Sequence, residues 1–219
     1  MNAPEPAVSG WIQVIALVLA VAVLALQARP LARTVGGGGT ELRVLLVAAL
    51  ALCALRWFNT APLQGVMLHL TGASIATLVL GARPALGVMA LASLSGVLLG
   101  AAWHGWAMDF LVTGALPVAV TAAASRAARR WLPHNIFVYI MGNGFFASML
   151  ATAASVLAKF AVAAVLGSRS AAAYLAATPL LMFAEAFLTG ALIALIVVYR
   201  PQWCATFDDR VYLWPERPM

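Results

Sequence analysis

The chain has 219 residues, 64% of them hydrophobic and 9% charged, with a mean hydropathy of +0.97. That composition excludes a soluble globular domain, where charged residues make up about a quarter. The net charge of +6 does not point to nucleic acid, because the arginines sit at the ends of apolar runs and read as topology signals.

Several runs reach the roughly 20 residues that carry a helix across a bilayer, and weak alternation at period 2 argues against an outer-membrane barrel. The expected fold is all-α: a polytopic membrane helix bundle at 1–200 with a tail at 201–219. About seven transmembrane helices are expected, near 11–28, 42–57, 63–81, 85–104, 109–125, 137–166 and 178–199. The leading "MNAPEPAVSG" carries Glu5 and no Lys or Arg, so the first run lacks the basic region of a signal peptide. A turn is expected at "ARPLARTVGGGGTE", and "MGNGFF" (141–146) is expected to break the long sixth run. With the N-terminus outside and the C-terminus cytoplasmic, ten arginines fall inside, leaving Arg56, Lys159 and Arg169 in the outer half.

Small-residue seams mark packing faces: Gly96 with Gly100, Ala73 with Thr77, Gly72 with Ala76. His69 lies on the seam of the third predicted helix and His104 on that of the fourth, so both are expected to face the bundle interior. Counting the helical rise places His69 roughly 21 Å above Arg83, Asp109 roughly 25 Å above Arg126 and Glu185 roughly 22 Å above Arg200. His104 falls roughly 30 Å above the Arg83–Pro84 turn.

An imidazole and two carboxylates at one depth suit a divalent transition metal, which makes His69, Asp109, Glu185 and His104 the candidate ligands. Plainer roles stand beside this one. His69 can serve as an interhelical hydrogen-bonding group, Glu185 as the ion-pair partner of Lys159, and Asp109 as the carboxylate at a helix N-terminus. Trp103 and Trp106 read as interface anchors.

Cys53 and Cys204 are not expected to pair, since they fall in a span and in the tail. The aromatic tail "PQWCATFDD" has two equal readings: docked on the bundle's inner face or on a partner, with Asp208 and Asp209 able to meet Arg126, Arg129 and Arg130, or solvated with its aromatics at the interface. No phosphate-binding loop, zinc-protease motif or nucleophile arrangement occurs, so no enzymatic activity is expected and any energy from ATP must come from other subunits.

The stretches "LHLTGASIATLVLGARPALGVMALASL", "AMDFLVTGALP" and "EAFLTGALIALIVVYRP" resemble, in that order, the cobalt and nickel substrate-capture subunits of energy-coupling factor transporters, the CbiM/NikM group. The likeness covers about residues 60–210 and is closest to a shorter bacterial branch. It implies a permease subunit in a bacterial inner membrane that takes cobalt or nickel from outside. It further implies a transmembrane coupling subunit and cytoplasmic ATPase subunits as partners, with no permanently bound cofactor.

In that group the N-terminal amine, a histidine at the second position and the histidine matching His69 hold the metal. Here Asn2 stands in place of that second histidine, so His69 alone carries over. Asp109, where the group has asparagine, Glu185, which matches its glutamate, and His104 are the candidates for the remaining ligands. A non-transporting scaffold that keeps the fold is the alternative expectation, with a solo permease for another substrate as a third.

Overall fold

A computed structural model describes residues 10–57, 59–63, 66–98, 103–168 and 171–212. The predicted N-terminal features, Asn2 among them, and the seam residue Gly100 lie outside these residues, as does the side chain of His104.

The architecture is helical, as the apolar composition dictates. α1 (Gly10–Gly37) and α2 (Gly39–Trp57) lead into a short antiparallel hairpin, β1 (Asn59–Leu63) and β2 (Val66–His69). α3 (Ala73–Leu80) and α4 (Ala82–Leu98) follow. Three long helices complete the bundle: α5 (Trp106–Trp131), α6 (Ile136–Val165) and α7 (Ala171–Tyr199). A single turn at Pro201–Trp203 and α8 (Asp209–Tyr212) form the tail.

Among the described residues four helical stretches are long and apolar enough to cross a membrane: Gly10–Arg29, α5, α6 and α7. Ala82–Leu98 is apolar but shorter. Broad exposed apolar faces, such as Leu26, Leu50, Leu180 and Phe187, fit a lipid-facing surface.

Two expectations are corrected. The run 63–81 is not one spanning helix. Its first part is hairpin strand, Gly72 turns the chain at φ 64°, and α3 has eight residues, about 12 Å of rise. Nor does "MGNGFF" break the sixth helix. The chain widens there into a π-helical stretch (Tyr139–Phe146) and continues. A second such stretch, Phe110–Ala115, follows Asp109.

Small residues set the closest approaches. Gly144 of α6 faces Gly190 of α7, where an added Cβ would lie 3.3 Å from the Gly190 Cα. α3 is buried along its length, with Ala73, Ala76, Thr77 and Leu78 at most 2% exposed. Its Ser74 hydroxyl shares a 2.9 Å hydrogen bond with Thr121 of α5.

The tail closes the end of α3. Ala205 N–H donates to the Val79 carbonyl at 2.9 Å, and the Thr206 hydroxyl to the Leu78 carbonyl at 2.8 Å. These are carbonyls that a helix leaves unpaired at its C-terminus. Tyr139 of α6 hydrogen-bonds both Thr206 (2.6 Å) and Cys204 (3.0 Å), beneath a cluster of Phe207 and Tyr212 rings. Cys53 and Cys204 are free thiols. Asp208 accepts from the Arg210 N–H at 2.9 Å, and among the described residues neither Asp208 nor Asp209 pairs with the α5 arginines.

Candidate metal site

His69 is the last residue of β2, opposite Asn59, rather than a helical residue. The strand ends there because Leu70–Gly72 must redirect the chain into α3. Glycine at 72 accepts the left-handed backbone without strain.

The first N–H groups of this turn have no partner in their own helix. Glu185 of α7 supplies one: its carboxylate accepts the Thr71 N–H at 2.8 Å, the Gly72 N–H at 2.6 Å and the Thr71 hydroxyl at 3.1 Å. Glu185 is fully buried, and an anion at the start of α3 is favoured by the helix dipole. It therefore braces the loop that presents His69. The expected Glu185–Lys159 pair does not form, because both carboxylate oxygens are engaged on this turn.

Asp109 of α5 meets Arg56 of α2 at 2.5 Å and accepts from the Thr113 hydroxyl at 3.1 Å. Arg56 lies along Gly96 of α4, where an added Cβ would fall 3.5 Å from its Nη2, so that seam glycine leaves room for a guanidinium. Asp109 and Arg56, with Lys159 of α6, are among the described charged groups close enough to His69 to act on it electrostatically. The His69 Nε2 atom is buried and has no hydrogen-bond partner among the described residues. His104 sits in the turn Trp103–Gly105. Trp106 donates its indole N–H to the Ala90 carbonyl at 3.2 Å, while Trp103 is exposed.

The structure thus sets Glu185 on the turn that follows His69 and gives both carboxylates other partners. Among the described residues no three His, Cys, Asp or Glu side chains gather as a ready metal cage. What the sequence reading missed is the Thr71–Gly72 brace and the role of Arg56. The signal for the brace was the Thr-Gly pair ahead of Ala-Ser inside an apolar run.

A family model described as the cobalt uptake substrate-specific transmembrane region, CbiM, matches residues 2–203. No curated protein matches the chain in sequence. A solved structure described as that of a transition metal transporter shares the fold, with a TM-score of 0.71 over 90% of this chain and 92% of that one. At 16% identity that likeness speaks for the fold.

Proposed function

The chain belongs to the CbiM family, and from that membership we propose that it is the substrate-capture subunit of an energy-coupling factor type transporter for a transition metal of the cobalt or nickel class. The observation that carries this reading is the His69 Nε2 atom, buried, without a partner among the described residues, and held in place by a loop that Glu185 clamps. A ring nitrogen kept free in a protein interior is suited to a metal, and its neutral form is the ligating form.

His69 is the ligand in this reading, and Glu185 positions it. Asp109 joins the ligands if it releases Arg56, and His104, in the turn Trp103–Gly105, is a further candidate. The protein sits in a bacterial inner membrane with its N-terminus outside and C-terminus inside, as the arginine distribution supports. A coupling subunit and ATPase subunits supply the energy, since the sequence carries no phosphate-binding loop.

Uptake of radiolabelled cobalt and nickel by cells with and without the protein tests this. Loss of the protein lowers uptake of one of the two metals, and His69→Ala fails to restore it. Unchanged uptake of both metals would overturn the proposal.

A further inference from the structure

The C-terminal end of α5 carries Arg126, Arg129 and Arg130, all exposed and spaced so that they share one face within about one helical turn. The chain then turns at 132–135 into α6, and the His134 Nε2 atom donates to the Arg129 carbonyl at 3.0 Å. Apolar side chains stand open around the same turn. Trp131 is 75% exposed, Phe137 in the first turn of α6 is 70% exposed, and Leu132 is 45% exposed.

The elements packed here do not neutralise the arginines. α3, α4 and α6 hold no Asp or Glu. The tail brings Asp208 and Asp209 to this side, since the Tyr212 ring lies 5.8 Å from that of His134, and it brings Arg210 with them. Asp208 accepts from the Arg210 backbone N–H, and among the described residues neither carboxylate pairs with the α5 arginines. Four guanidinium groups thus stand against two carboxylates. The other described arginines on this side, Arg29, Arg43, Arg83 and Arg200, lie singly on separate elements.

Open water suits the arginines and not the rings, and the hydrocarbon core suits the rings and not the arginines. The headgroup layer of a bilayer suits both. A guanidinium fork matches two oxygens of a phosphate, and a free cluster of forks beside exposed rings fits a molecule that carries phosphate and hydrocarbon together.

We propose that the α5–α6 turn binds the headgroup of an anionic phospholipid. Arg126, Arg129 and Arg130 pair with its phosphodiester, while Trp131 and Phe137 lie against its glycerol and upper acyl chains. The inference goes beyond the metal-uptake reading and does not depend on it.

Native mass spectrometry of the full-length protein in detergent, incubated with phosphatidylglycerol or with phosphatidylcholine, tests it. The proteins are the wild type, the triple variant Arg126→Gln/Arg129→Gln/Arg130→Gln, and a control with the same change of charge, Arg29→Gln/Arg43→Gln/Arg83→Gln. The wild type retains phosphatidylglycerol at least about tenfold better than phosphatidylcholine, as several basic groups at one headgroup predict. The triple variant loses that preference and the control keeps it. An equal loss in both variants would make the preference a property of net charge and overturn the inference. Equal retention of the two lipids by the wild type would also overturn it and leave the arginines for an acidic protein partner. Displacement of the lipid by inorganic phosphate would mark a site for free anions, again against the inference. If the triple variant fails to fold, Arg130→Gln alone decides: it lowers the preference about fivefold, and an unchanged preference contradicts the assignment.

Discussion

The Glu185 carboxylate accepts the Gly72 backbone N–H at 2.6 Å, joining the last long helix to the turn that begins α3. With the two bonds from Thr71, it partners the turn that starts this short helix inside an apolar bundle. Glu185→Ala would strand two backbone N–H groups and a hydroxyl. A loss of about 2–4 kcal/mol is expected, read as a lower thermal midpoint in detergent. Metal-dependent stabilisation should fall as well, because the loop carrying His69 is no longer held. A variant with wild-type midpoint and wild-type metal response would contradict the bracing role.

Gly72 itself has φ 64°, and a Cβ there would lie 2.2 Å from the Leu52 side chain. Gly72→Ala therefore meets both backbone strain and a clash. We expect about 2–4 kcal/mol of destabilisation from the two together. Leu52→Ala in the same chain should recover the part due to the clash and not the part due to the backbone, which thermal unfolding of the double variant would reveal.

The turn at Gly72 also marks where the sequence stopped being legible. Composition and apolar run length were enough for a helical membrane protein, because both report burial in lipid directly. The run from Val66 to Gly81 has the length and hydropathy of a span, and those properties do not separate a lipid-crossing helix from strand, turn and short helix buried in protein. Partnering was harder still. Lys159 and Glu185 were matched by charge and depth, whereas the folded chain meets the Glu185 carboxylate with backbone N–H groups that no side-chain pattern displays. His69 and Glu185 were recognisable as unusual groups because ionisable residues in apolar spans are costly and seldom idle.

Arg56 and Asp109 form a part-buried pair at 2.5 Å, with side chains 10% and 28% exposed. Removing either partner takes the ion pair from the other part-buried charge, so Arg56→Ala or Asp109→Ala alone should cost more than the double substitution. A double-mutant cycle on thermal stability should return a coupling of about 1–3 kcal/mol. Additive single effects would mean that the pair does not stabilise the fold.

At the other end of α3, Leu78 and Val79 offer their carbonyls to Thr206, Cys204 and Ala205. Tyr139→Phe removes the hydroxyl that ties Thr206 and Cys204 to α6. Both partners retain the Leu78 carbonyl, so the cost should be modest, about 0.5–1.5 kcal/mol. Protease cleavage within 201–212 should nevertheless speed up, since the tail has lost one of its anchors. An unchanged cleavage rate would show that the ring cluster alone holds the tail.

The account depends most on His69 as the group that meets the metal. X-ray absorption at the nickel edge, on the full-length protein loaded with nickel chloride, reads that contact directly. The predicted spectrum carries imidazole scattering in the wild type and loses it in His69→Ala. Spectra that are the same for wild type and His69→Ala would contradict the assignment of the site.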